Sequence, residues 1–170
     1  MKANNTLVPT RKGEAPLLAA QRGRYAFMKP LFPLVIGLLM SQISIAADYK
    51  QGQVWKYKAR EGEESSLLYI VRIDTEKGYG SIYHIYVDGL RIRNAHLKGG
   101  FQSTLPHSPV DRTTLDASVT ELVRETKDMP DISAGYTAWR EPFDAGKAGV
   151  FNIPVNKIIE YIEQAANSAR

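Results

Sequence analysis

The chain has three histidines and no cysteine, so any acid–base or metal chemistry must be assembled from imidazoles, carboxylates and hydroxyls. Thiolate nucleophiles, cysteine zinc sites, iron–sulfur ligation and disulfides are excluded, as is a lipid-modified cysteine at a cleavage point. His96 and His107 lie eleven positions apart in a glycine-containing stretch, with Asp111 following. Two imidazoles and a carboxylate are a donor set for zinc or copper. The spacing lacks the tight repeat that places two histidines on one face of a helix or strand, so no metal or other cofactor is expected, and His96, His107 and Asp111 stand only as the candidate ligands. His84 sits in the run Gly80–Val87 (GSIYHIYV), where a packing role is the simpler reading.

Nucleophilic catalysis needs a hydroxyl activated by a base. The serines show neither a GxSxG elbow nor an SxxK pair, and Ser103-Thr104 near His107 is better explained by turn formation. Glu61, Glu63 and Glu64 cluster in a charged turn, where nothing buries a carboxyl to raise its pKa for acid work. Ala145–Gly149 (AGKAG) lacks the Ser or Thr and the following helix of a phosphate loop. Arg91 and Arg93 alternate with Leu90 and Ile92, with Lys98 close by, and present a small basic face suited to an acidic partner or an anionic surface. No catalytic set is assembled by these motifs.

Period-two alternation predicts strands at Gln53–Arg60, Ser66–Asp74 and Gly80–Val87, joined by short turns and therefore antiparallel. Leu90–Asn94 reads as a short fourth strand or as a continuation of the third past a bulge, and residues 95–107 read as loop. Ser108-Pro109-Val110-Asp111 has the look of a helix start, and Leu115, Val119, Leu122 and Val123 form an apolar stripe that carries this helix toward Pro130. A second helix is expected over about Ile132–Phe143, with Trp139 in its inward stripe. A short strand at Val150–Ile153 and a last helix from Pro154 follow. The expected fold is α+β: an antiparallel sheet of three to five strands with about three helices packed mainly on one face.

Within this frame Tyr83, Ile85 and Val87 face the core. Ile82, His84 and Tyr86 fall on the other face of their strand, with Leu68 and Ile70 expected beside them on the neighbouring strand. Soluble domains seldom leave such a patch bare. Leu68, Ile70, Ile82, His84 and Tyr86, together with Arg91 and Arg93, are therefore the candidate interaction surface for a protein partner or for self-association.

The charge of the chain is unevenly placed. Its 170 residues carry a net +4, with 44% hydrophobic and 24% charged residues and a pI near 9.2. The first 47 residues hold six Lys/Arg against the single Glu14, whereas the rest holds 16 Lys/Arg and 17 Asp/Glu. The near-neutral remainder exerts no general pull on phosphate backbones, so no nucleic-acid partner is expected. Met28-Lys29, the apolar run Leu31–Met40 and the small-residue exit Ser44-Ile45-Ala46-Ala47 have the layout of a secretory signal. The organisation expected is a polar, over-extended or disordered leader at 1–27, a signal peptide at 28–47 cleaved near Ala46 or Ala47, and one α+β domain at 48–170. Periplasmic or secreted residence follows, with membrane contact only in passing through the signal.

Gly52–Tyr57 (GQVWKY), Ile85–Asn94 and Phe143–Phe151 (FDAGKAGVF) together resemble a group of small uncharacterised bacterial proteins. The resemblance covers most of the mature domain and implies a bacterial source. It brings no activity, ligand or catalytic residue. The function expected is an exported, non-enzymatic binding or interaction module. The alternatives are a small hydrolase or metal-dependent enzyme using the loop histidines, and a homodimeric envelope structural protein.

Overall fold

The computed structural model describes residues 47–168. The expected leader and signal peptide, up to residue 46, lie outside the described residues. Among the described residues no helix is long and apolar enough to cross a membrane.

The described chain is α+β. Seven strands run as β1 (Gln53–Tyr57), β2 (Leu68–Glu76), β3 (Gly80–Val87), β4 (Ile92–Arg93), β5 (Phe101–Gln102), β6 (Leu105–Val110) and β7 (Val119–Glu125). Three helices, α1 (Arg112–Ser118), α2 (Ser133–Asp144) and α3 (Val155–Ser168), complete it. A five-stranded sheet in the order β6-β3-β2-β1-β7 has every pairing antiparallel, and β4-β5 form a separate small hairpin.

The pairing of β2 with β3 decides which side chains share a face. Ile70 lies opposite Ile85, but the next partner of β3, His84, lies opposite Arg72, so Val71 is an extra residue in β2. Such a bulge reverses the alternation along the strand. Leu68 and Ile70 before it, and Ile73 after it, therefore fall on one face with Tyr83, Ile85 and Val87. Leu115 of α1 and Val155, Ile158 and Ile159 of α3 close this face into the main core. On the other face Val54, Tyr69 and Val71 pack against Ile132 at the start of α2. Two of the three helices thus lie on the first face and α2 on the second.

This placement corrects the expected patch. Leu68 and Ile70 are fully buried in the main core, on the opposite face from Ile82, His84 and Tyr86. Both parities of the segment SLLYIVRID are apolar, so alternation alone does not select the inward set.

Two elements expected as helix are strands. Ser108 and Pro109 belong to β6, and Asp111 is the true N-cap of α1, accepting from the Thr114 N–H at 2.8 Å. Pro109 is tolerated because β6 is an edge strand of the sheet, where a missing N–H breaks no ladder. The helix ends after Ser118, whose hydroxyl donates to the Thr114 carbonyl and accepts from the Val155 N–H. Val119–Glu125 then turns extended and pairs along β1, with Glu121 bridging to Lys56 at 2.9 Å. β-Branched Val119, Thr120 and Val123 suit an extended strand, and the edge of β1 supplies the hydrogen bonds that outweigh the helical stripe. The expected strand at Val150–Ile153 is reduced to a single parallel bridge of Phe151 to Val110.

Candidate functional site

The second face of the sheet carries the chemistry. Arg72 and Asp74, two apart on β2, project to the same side, opposite His84 and Ile82 of β3. His84 in turn lies opposite Pro109 of β6, which brings His107, two residues earlier on the same strand, alongside it. The His84 Nδ1 and His107 Nε2 atoms are 3.0 Å apart and hydrogen-bonded. Their ring planes differ by 13° with centroids 5.2 Å apart, so the rings meet edge to edge through these nitrogens rather than face to face.

α2 closes over the pair. Tyr136 and Trp139 direct their rings at His84 edge-on, with centroids 5.0 and 4.9 Å from it. Trp139 is held by its indole N–H, which donates to the Gly149 carbonyl at 2.9 Å. Arg140, one residue on, pairs with Glu76 of β2 and with Asp144. His84 is fully buried and His107 partly so.

Asp74 joins this buried pair to the surface. Its Oδ2 accepts from the Tyr136 hydroxyl at 2.8 Å and its Oδ1 from Arg72 Nε at 2.7 Å. The Arg72 guanidinium lies over the Tyr136 ring, 4.2 Å from its centroid. His84 Nε2 stands 3.3 Å from Asp74 Oδ2, close enough for charge attraction but out of line for a hydrogen bond. The carboxylate charge beside that nitrogen favours a proton on it, and with it the tautomer in which His84 Nδ1 accepts from His107 Nε2.

The charge states follow from burial and partners. Burial pushes His84 below its ordinary value, and the Asp74 carboxylate only partly opposes this. Burial, with the neighbouring His84, lowers His107 to about 4. Both rings are neutral near pH 7. Burial acts to raise Asp74, but the hydrogen bonds from Arg72 and Tyr136 outweigh it and hold the carboxyl below the ordinary value.

Arg72, Asp74 and Tyr136 border an open cleft of about 510 Å³ between β2 and the first turns of α2. Arg72, Asp74, Tyr136 and Asp131 give it charge and hydrogen-bonding capacity, and Val71 and Ile132 give it an apolar wall. The Arg72 side chain is 50% exposed and spends its Nε on Asp74, leaving its outer edge toward solvent. Among the described residues no Ser, Thr or Lys side chain is hydrogen-bonded to either imidazole, and the hydroxyl of the array is that of Tyr136, which donates to Asp74. What the array can do is bind a small polar molecule through Arg72, Asp74 and Tyr136.

The candidate metal ligands are not brought together. His107 lies under α2 against His84, Asp111 is occupied as the cap of α1, and His96 is in the exposed turn of the β4–β5 hairpin, its N–H on Asn94 Oδ1. Among the described residues no group of three or more histidines and carboxylates is arranged to hold a metal ion. The candidate interaction surface is also divided. Ile82 and His84 are fully buried on the α2 face, while Tyr86 is half-buried with its ring edge-on to Tyr69 at 5.8 Å. Arg91 and Arg93 are exposed beside the hairpin.

Spacing places Tyr136 in the apolar stripe of the second helix with Ile132, Trp139 and Phe143, and marks none of Arg72, Asp74 and Tyr136 as a site residue. The one available signal was the i, i+2 relation of Arg72 and Asp74 on a strand. Comparison with known proteins finds no matching family model, curated protein or solved structure.

Proposed function

We propose that this chain is an exported, non-enzymatic binding module whose recognition site is the cleft between β2 and α2 on the second face of the sheet. One observation carries the reading: Arg72, Asp74 and Tyr136 form a mutually hydrogen-bonded and stacked set on the wall of an open cleft of ligand size. The set is braced from behind by two buried imidazoles where apolar side chains would pack at lower cost. Charged groups of both signs beside an apolar wall suit a small molecule with charged and apolar parts. The exported address rests on the basic start, apolar run and small-residue exit of residues 28–47.

The test is a titration of the ¹⁵N-labelled protein with a panel of anionic, cationic, zwitterionic and neutral small molecules. Saturable shifts concentrated at residues 71–74 and 131–137, and lost in Arg72→Ala, support the site. A panel that moves none of these amides, or moves them equally in Arg72→Ala, counts against it.

A further inference from the structure

A different part of the molecule carries a second surface, independent of the cleft. From Gly89 to Val110 the sequence contains no acidic residue, yet it holds Arg91, Arg93 and Lys98. This stretch includes the β4–β5 hairpin. Gly99 and Gly100, with φ of 100° and 74°, turn it in a backbone conformation that L side chains rarely adopt. Two large apolar side chains stand out on it: Leu97 is 44% exposed and Phe101 52%. The Arg91 guanidinium lies over the Phe101 ring at 5.6 Å.

The neighbouring acids do not cancel this charge evenly. Arg91, Arg93 and Phe101 line a hollow of about 560 Å³ with Arg60, Glu61, Glu63 and Glu163. Arg60 engages Glu63 through Nε and Nη2, at 2.9 and 2.5 Å, and Glu163 through Nη1 at 2.8 Å. Glu63 is buried and also accepts from the Arg91 backbone N–H at 2.6 Å. Two of the three carboxylates are thus tied to Arg60. Among the described residues neither the Arg91 nor the Arg93 guanidinium has a carboxylate within ion-pair distance.

We propose that the β4–β5 hairpin is a docking surface for an anionic lipid bilayer. Leu97 and Phe101 enter the boundary between headgroups and acyl chains, and Arg91, Arg93 and Lys98 meet the lipid phosphates. Arg side chains suit this geometry because their stems lie along apolar surface while the heads reach the phosphates. A protein partner fits less well, since a hairpin of two-residue strands offers far less area than a stable protein interface buries. A free anion would use the guanidinium groups but gains nothing from exposed Leu97. The surface goes beyond the transient membrane contact expected of a signal peptide.

The absence of cysteine makes the test specific. Leu97→Cys in the full chain places a single thiol for an environment-sensitive nitrobenzoxadiazole label, and Lys77→Cys in the β2–β3 turn serves as the control. With phosphatidylglycerol vesicles the label at position 97 should brighten several-fold and shift to the blue, and the label at 77 should not. Phosphatidylcholine vesicles should give little response, and adding Arg91→Gln and Arg93→Gln to the labelled protein should suppress it, with circular dichroism showing the fold retained. The proposal is overturned if position 97 does not respond to phosphatidylglycerol vesicles, or responds equally to phosphatidylcholine. It is also overturned if soluble glycerol phosphate reproduces the response, which would mark a free-anion site, or if the double arginine variant keeps the full response.

Discussion

Gly135 of α2 lies directly against His107 of β6: a Cβ built on the glycine would overlap the histidine Cβ and come within 3.1 Å of its Cγ. The helix reaches the imidazole pair only because residue 135 has no side chain. The contact is between helix backbone and a β-carbon, neither of which can swing aside as the end of a flexible chain would.

Gly135→Ala should therefore destabilise the domain although alanine is the better helix former. Propensity alone favours alanine by up to about 1 kcal/mol, whereas forcing a methyl group into a packed contact costs roughly 1–3 kcal/mol. The expected net effect is a loss of stability in urea unfolding, accompanied by shifts of the His84 and His107 imidazole signals. A variant more stable than the parent would show that α2 does not sit this close to β6.

Trp139→Ala tests the same packing from the other side. The indole is buried against His84 and Phe143 and donates to the Gly149 carbonyl. Its removal should cost roughly 3–5 kcal/mol, the range for deleting a large buried aromatic. A loss below about 1 kcal/mol, measured by urea unfolding, would place α2 on the surface.

The sequence showed the β2–β3 hairpin, α2 and α3 because their apolar spacing is local. It misassigned residues 119–125 because Leu115, Val119, Leu122 and Val123 fit a helical stripe, while the deciding factor was the unpaired edge of β1, distant in sequence. The same limit hid the site. His84 and His107 were each visible as histidines. Their meeting depends on β6 pairing with β3 at His84↔Pro109, and Ser108-Pro109 carried the signal of a helix start instead. Asp74 became part of the array through the bulge at Val71, which alternation does not reveal because both faces of β2 are apolar before it.

The buried imidazoles also give stability a defined dependence on pH. An unfolded histidine titrates near 6.5, whereas His107 in the folded state binds its proton only at about 4, and His84 is also lowered. Above 6.5 both states are neutral and these groups contribute no pH dependence. Between 6.5 and about 4 the unfolded chain takes up protons that the folded chain refuses, so stability falls as pH falls. His107 contributes at most about 1.4 kcal/mol per pH unit in that window, and the lowered His84 acts in the same direction below 6.5. The charged and titratable groups around the pair are Asp74 and Arg72 from β2 and Tyr136 and Arg140 from α2, with Arg140 itself paired to Glu76. The Asp74 carboxyl is held below its ordinary value, so its own contribution is lost at lower pH, as it protonates below the unfolded value near 3.9. The two effects thus occupy successive windows. Urea unfolding from pH 7.5 to 4.5 should show the decline, and His107→Gln should flatten part of it while lowering stability at pH 7. Equal slopes in the parent and the variant would mean that His107 titrates normally in the folded protein and is not shielded by α2.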